Sequence, residues 1–306
     1  MRRKSNFKFL VLLVLIACVI GCAVMTSQKT QLSSQSPVVG ETKSAQPAQK
    51  TITIASFNIQ ILGEKKVGKV DVMETVAKII RRYDLVAIQE VRSTHDDILK
   101  KLLGYVNMEG QRYDYIISSR LGRTTSKEQY AFIYNTATIK PIANSNYVVK
   151  DTDDVFEREP FVSSFKSGNF DFTLVDIHTK PEDTPSELTH LAVVVNSIYK
   201  NSKEKDIIAL GDMNADGSYY KENTLNSIFS PWVQLIGNSV DTTVAQSSNT
   251  YDRMIASPEA DKEYAGGSGV FRWDSEFGMT DMNYIKSVSD HYPVYAVFRT
   301  DLEDDD

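Results

Sequence analysis

The chain has 306 residues, with 34 basic and 40 acidic side chains giving a formal net charge of −6. Residues 1–22 hold four of the basic residues and none of the acidic ones, so the remainder carries 30 against 40, near −10. Such a chain has no general attraction for nucleic acid, and a polyanion would have to be bound locally with a cation's help. The two Cys, Cys18 and Cys22, stand near the N-terminus and leave the rest of the chain without a disulfide.

In chain order, MRRKSNFK is a basic n-region, and FLVLLVLIACVI is an apolar h-region too short for a membrane span. Val19-Ile20-Gly21-Cys22 then resembles a bacterial lipobox, in which the Cys is lipidated and becomes the mature N-terminus. Leu15-Ile16-Ala17-Cys18 is an earlier candidate, but cleavage there would shorten the h-region and leave an apolar CVIGCAV beside the lipid. Residues 1–22 are therefore read as a lipoprotein-type signal peptide, with an ordinary secretory signal as the alternative. Residues 23–50 are rich in Ser, Gln, Lys and Pro and lack an apolar period, which reads as a disordered tether. A flexible chain of that length spans about 30 Å root-mean-square. Residues 51–300 are read as one catalytic domain and 301–306 as an acidic tail.

Within the domain, TITIASFNI alternates as a first strand, and VDVMETVAKIIRRYD spaces Val72, Val76, Ile79 and Ile80 as a helix. Leu85-Val86-Ala87-Ile88 is short, apolar and branched, the pattern of a buried strand. In THDDILKKLLGYV, Thr94 is the expected N-cap and the Gly the expected stop. Strand-like runs follow at YDYIIS, QYAFIYN, NYVVK, FVSSFK and FDFTLVDIHT, then SELTHLAVVVNSIYKN reads as a helix. DIIALGDMNAD and TYDRMIAS are strands, and HYPVYAVF closes the domain with Pro293 at its edge. Many strands, few helices and several hairpins predict an α/β fold of two packed mixed sheets flanked by helices.

The buried run 85–88 ends in Gln89-Glu90, and a carboxylate beside a dry core costs several kcal/mol, roughly, unless something pairs with it. Either Arg92 and solvent relieve Glu90, or Glu90 faces a metal ion. Other polar residues also fall at strand ends: Asn58 after ITIASF, His178 after FTLVDI, and Asp212 and Asn214 after IIALG. Asp252 lies within TYDRMIAS, and Asp290-His291 precedes the last strand. Singly, GDMNADG reads as a turn, a strand-end His as solvated and SDH as a cap. Strand ends are nevertheless where α/β scaffolds place their sites. Two His, several carboxylates and two Asn suit a divalent cation bound by oxygen, with imidazoles for proton transfer.

In order, FNIQ, IQEVR, SKEQYAF, EREP, DIHT, GDMNAD, TYDRM and SDHYPV resemble the endonuclease/exonuclease/phosphatase superfamily over residues 51–299. Within it, the likeness is to the deoxyribonuclease I group. The resemblance implies a four-layer sandwich and a metal-dependent endonuclease that hydrolyses DNA phosphodiesters with low sequence specificity. Glu90 and Asn58 would hold Mg2+ or Mn2+, with Asp290 supporting them. His178 would pair with Glu128 and His291 with Asp252, while Asp212 and Asn214 would position water and phosphate. The sequence leaves open which His takes the proton and which gives it; His291 is taken as base and His178 as acid. Arg92 and Arg158 match positions that contact DNA and phosphate, with Tyr219 and Tyr251 near the same surface. Asp151, Asp153, Asp154 and Glu159 form one loop that suggests structural Ca2+, and Asp241 with Thr243 another.

Two departures stand out against that pattern. Gly217 and Asn249 occupy positions where vertebrate members carry a Cys pair, and Ser126 replaces a Tyr that packs in the DNA groove. The expected partners are DNA and, through the lipid anchor alone, a membrane; the protein is expected to be exported and to act as a monomer. Two competing readings are a phosphoesterase acting on a phospholipid or phosphoinositide, and a non-catalytic binding lipoprotein on this fold. An intact set of candidate catalytic residues argues against the second, and the want of a long apolar hairpin argues against the first.

Overall fold

The computed structural model describes residues 50–303. The expected signal peptide with its Cys22, the tether up to residue 49 and the end of the acidic tail lie outside the described residues. No helix among the described residues is long and apolar enough to cross a membrane.

The strands in chain order are β1 (Thr51–Leu62), β2 (Leu85–Val91), β3 (Tyr113–Ile117), β4 (Gln129–Asn135), β5 (Lys140–Pro141), β6 (Tyr147–Val148) and β7 (Phe161–Ser167). They continue with β8 (Phe170–His178), β9 (Ile207–Asp212), β10 (Val233–Gln234), β11 (Asp252–Ala256), β12 (Tyr264–Val270) and β13 (Val294–Arg299). The helices are α1 (Glu64–Val67), α2 (Val70–Ile80), α3 (Ile98–Val106), α4 (Thr184–Asn201), α5 (Leu225–Phe229), α6 (Ala260–Glu263), α7 (Trp273–Glu276) and α8 (Met282–Val288). One sheet runs β12-β13-β1-β2-β4-β3, and the other runs β10-β11-β9-β8-β7-β5 with β6 also on β7. Both are mixed: β1 pairs parallel to β2 and β8 parallel to β9, while the other neighbours are antiparallel.

Three apolar clusters separate four layers. Ile52, Ile54, Leu85, Phe132, Phe172, Leu174, Leu210 and Met254 pack between the sheets. Phe57, Ile88 and Ile133 face α2, α3 and the buried Trp273 and Val288 on the outer side of the first sheet. Val175, Ile177 and Ala209 face Leu188, Leu191 and Val195 of α4 on the outer side of the second. This is the four-layer sandwich expected, and the period of two in each strand assigns the faces. It also prepares the site. At one end of the molecule the inward positions turn polar: Ile52 and Ile54 are followed by Ser56 and Asn58, and Leu174 by Asp176 and His178. Leu85 and Ala87 are likewise followed by Gln89, and Leu210 by Asp212.

Several local expectations need correction. Helix α3 is capped at Asp97 rather than Thr94, and it runs through Gly104 to Val106. It stops because the Asn107 side chain bonds both the N–H and the C=O of Tyr113, which turns the chain into β3. NYVVK supplies only the two-residue β6. Pro293 precedes a strand that has neighbours on both sides rather than marking an edge. Strand β12, YAGGSGV, has no apolar alternation and exists because β13 offers it an edge to pair with.

Candidate active site

The polar end of the inter-sheet core gathers two carboxylate–imidazole pairs. Glu128 Oε1 lies 2.8 Å from His178 Nδ1, and Asp252 Oδ2 lies 2.8 Å from His291 Nδ1. Each pair joins the two sheets: Glu128 leads into β4 and His178 ends β8, while His291 leads into β13 and Asp252 begins β11. With Nδ1 tied to a carboxylate, the proton-carrying or proton-accepting atom that remains is Nε2. Both Nε2 atoms stand 3.5 Å from the same atom, Asp212 Oδ2. Register puts Asp212 there, opposite His178 on one side and Asp252 on the other. Gly211 permits that approach: its φ is +140, and a Cβ would lie 1.9 Å from the Ile177 carbonyl oxygen.

Asn58 links this centre to the first sheet. Its Nδ2 donates to Asp212 Oδ2 at 2.9 Å and to Glu90 Oε1 at 3.2 Å, while its Oδ1 accepts from Gln60 N–H at 2.9 Å. Glu90 takes φ +64 and Asn214 φ +45, conformations uncommon for side chains with a Cβ and frequent at functional sites. Glu90 Oε2 accepts from Ile61 N–H at 3.0 Å and lies 3.3 Å from Arg92 Nε. The Arg92 alternative for Glu90 is thus seen here, and Arg92 touches the carboxylate without enclosing it. Asn214 is buried, donating to the Thr179 carbonyl at 3.0 Å. Asp290 is nearly half exposed at the mouth, with Oδ1 4.0 Å from His291 Nε2. Tyr251 stands 6.4 Å from the His291 ring and 5.5 Å from Tyr219, forming an aromatic wall beside the mouth.

The electrostatics differ between the two pairs. Burial would push His291 down, but Asp252, then Asp212 and Asp290, hold it well above its ordinary value. His178 is also raised against burial, chiefly by Glu128, but Arg158 opposes the shift. Glu128 would be pushed up by burial, yet His178, Arg158 and Arg92 hold it low. Asp212 is held low against burial by His291, His178 and the Asn58 amide. Lys66 is lowered to about 8 by burial.

Two expected assignments change. Arg158, expected on the phosphate-binding surface, is buried: its guanidinium pairs with Glu128 Oε1 at 2.5 Å and donates to the carbonyls of His178 and Thr179. Glu128 is wholly buried, with His178 Nδ1 2.8 Å from Oε1 and Arg92 Nε 3.3 Å from Oε2, and the Arg158 guanidinium adds a second permanent cation to a charge taken out of water. Asp241 accepts from Thr243 N–H, Thr243 Oγ1 and Asn249 N–H, and Arg272 lies 2.8 Å from its Oδ2. In this structure the Arg272 guanidinium stands at the loop where Ca2+ was expected. Nor are Asp151, Asp153, Asp154 and Glu159 drawn together: Asp151 caps Phe156 N–H at 2.8 Å, and Asp154 faces Arg123 at 3.7 Å. Sequence reasoning missed Gln89 and Asp176, which bond across the sheets at 2.6 Å, although the alternation Phe172, Leu174, Asp176, His178 marks Asp176 as inward-facing. It also missed Lys66 and Ser289.

Among the described residues, Asp212, Asp252 and His291 offer metal-ligand atoms all within 4.8 Å of one another. The Asp252–His291 bond already engages one oxygen and one nitrogen of that group. The donor set around Glu90, Asn58, Asp212 and Asp290 is oxygen-rich, and there the carboxylates outnumber the permanent cations. That chemistry fits a hard divalent ion.

The sequence profile of the Endonuclease/Exonuclease/phosphatase family matches residues 55–291. The chain belongs to that family. It is 35% identical to deoxyribonuclease gamma of Rattus norvegicus over 260 residues, covering 80% of this chain and 83% of that protein. It is 32% identical to deoxyribonuclease-1 of Bos taurus over 257 residues, covering 80% and 91%. An endonuclease/exonuclease/phosphatase family protein of Bacteroides thetaiotaomicron has the same fold at a TM-score of 0.56 and 15% identity, covering 83% of this chain and 99% of that one. Membership makes the chain a phosphodiesterase-type hydrolase.

Proposed function

We propose that this protein is a divalent-metal-dependent endonuclease that hydrolyses DNA phosphodiesters with little sequence preference. The observation that supports this reading is the pair of imidazole Nε2 atoms facing one Asp212 oxygen, each 3.5 Å away and each tied through Nδ1 to a buried carboxylate. In-line hydrolysis needs one group to take a proton from the attacking water and another to protonate the departing ester oxygen. Two imidazoles flanking one point meet both needs, and Asp212 and Asn214 hold the water and phosphate between them. Glu90, with Asn58 and Asp290, would hold Mg2+ or Mn2+, which when bound neutralises developing charge on the phosphate oxygens.

Outside the proton-transfer centre, Arg92 retains 26% side-chain exposure and lies beside Glu90, where it can meet a DNA backbone or groove. Tyr219 and Tyr251 offer ring faces for the sugar wall. Residues 1–22 support export, with Cys22 as the lipid attachment point.

The test is plasmid nicking by the full chain with Mg2+ or Mn2+, with and without EDTA, beside phosphate release from phospholipid and phosphoinositide vesicles. Metal-dependent nicking without lipid hydrolysis is expected. Lipid turnover with intact plasmid would replace this reading with the phosphoesterase one, and inertness in both would favour a binding protein.

A further inference from the structure

Lys66 lies in none of the expected motifs. It sits on α1 at 8% exposure, and its ammonium donates to three backbone carbonyls: Ile59 at 2.6 Å, Gln60, and Val288 at 2.9 Å. An ammonium has three donors, so this one is fully paired. Its acceptors belong to the two segments that carry the site. Asn58 pairs with Gln89 and Leu62 with Val91, so β1 spends three residues where β2 spends one, and that one is Glu90. The excess bulges, and Gln60 and Ile61 take φ +49 and +52. The bulge aims two N–H groups at the site, Gln60 toward Asn58 Oδ1 and Ile61 toward Glu90 Oε2. On the opposite side, Ser289 Oγ donates to the Asn58 carbonyl at 2.8 Å and accepts from His291 N–H at 3.0 Å.

We propose that Lys66 is a positioning residue whose ammonium clamps the β1 bulge to the end of α8, thereby fixing Asn58 and Glu90 relative to Asp290 and His291. Carbonyls from both segments converge on the Lys66 ammonium. A cation with three donors satisfies carbonyls from both sides at once. An apolar side chain of equal length fills the same volume but leaves three buried acceptors without partners, which the left-handed bulge relieves by opening. The proposal rests on the reading of Asn58, Glu90 and His291 as working residues, so its first readout is independent of catalysis.

The experiment compares the full chain with Lys66→Met and Lys66→Gln. Amide hydrogen exchange is measured by mass spectrometry in EDTA, and plasmid nicking is measured over a Mn2+ titration. In Lys66→Met, exchange across 58–62 and 289–292 should quicken about tenfold or more, with β7–β8 unchanged. Its kcat should fall about 10- to 100-fold with KM for plasmid within about twofold, since small misplacement of reacting groups costs on that order. Lys66→Gln keeps two donors and should fall between, and it decides the matter if Lys66→Met does not fold. The metal response discriminates further. If Lys66 mattered only as a positive charge near Glu90 and Asp290, its removal would lower the Mn2+ needed for half-activation, whereas loss of positioning raises it. Unchanged exchange in both segments, or a lowered half-activation with kcat retained, overturns the proposal. Should the wild-type protein leave DNA intact, the exchange result still decides the clamp, and only the nuclease reading falls.

Discussion

Replacing Asp252 by Asn changes one charge and almost no volume. Asp252 is fully buried, with its N–H held by Thr242 Oγ1 at 3.2 Å and its Oδ2 on His291 Nδ1 at 2.8 Å. If the Asn oxygen faces Nδ1, a charge-assisted bond of about 1.5–3 kcal/mol becomes a neutral one of about 1 kcal/mol. That alone weakens the imidazolium by about tenfold. If the amide nitrogen faces Nδ1, the wrong tautomer is held and Nε2 cannot accept a proton, a fault worth about 10⁴ in the serine-protease triad. We therefore expect kcat to drop about 10²- to 10⁴-fold, with KM for duplex DNA within about threefold. The variant should remain folded, because the buried carboxylate whose desolvation opposes ionisation is gone as well. Single-turnover nicking rates and a thermal melt in EDTA measure both quantities. A folded variant whose rate stays within about fivefold of wild type would show that proton transfer does not run through His291.

Glu90→Gln should keep the fold but lose divalent-dependent cleavage, because it takes a formal charge from the hard-cation site; normal activity at saturating Mg2+ would remove Glu90 from that role. His178→Ala and His291→Ala should each lower the rate by about 10²-fold or more, and the double variant should lose little beyond the worse single one. Multiplying losses in that series would mean the two imidazoles act independently. The His291 imidazolium also makes folding pH-dependent. Its folded pKa is raised above the ordinary 6.5, so its stabilising contribution is complete below that pH and disappears as pH rises through the raised value. The stability gap between wild type and His291→Asn in EDTA should accordingly be widest in acid and narrow on the alkaline side, and a gap that widens with pH contradicts the ion pair.

Much of this was legible because strand periodicity is local. The inward positions Phe170, Phe172, Leu174, Asp176 and His178 can be counted off the sequence, and the change from apolar to polar marks the end of β8 where chemistry gathers. Helix α2 follows equally from its apolar spacing. What resisted reading depends on contacts between distant segments. Arg158 looks like a free cation until β7 and β8 bring it against Glu128, and the partner that Asp241 finds in Arg272 comes from 31 residues away. Strand β12 contains three glycines and no apolar face, so only its partner β13 could have revealed it. Lys66 was invisible for a simpler reason. Its partners are backbone carbonyls, which carry no residue identity.

The way the pairs are assembled ties the proposed catalysis to packing. The Nδ1 partner of each imidazole lies in the opposite sheet, so each Nδ1–carboxylate distance is also a measure of the spacing between sheets. That spacing is held by aromatic stacks that cross the same gap, Phe132 on Phe161 at 5.3 Å and Phe170 on Phe298 at 5.5 Å. Closer to the site, the Gln89–Asp176 bond at 2.6 Å and the Asn58–Asp212 bond at 2.9 Å cross it as well. Apolar packing sets the distance approximately and polar crossings refine it as the reacting centre is approached. A close-packed interior transmits small displacements instead of absorbing them. Under the proposed function the fold therefore does more than carry these residues: the separation of its two sheets is one of the coordinates of the reaction.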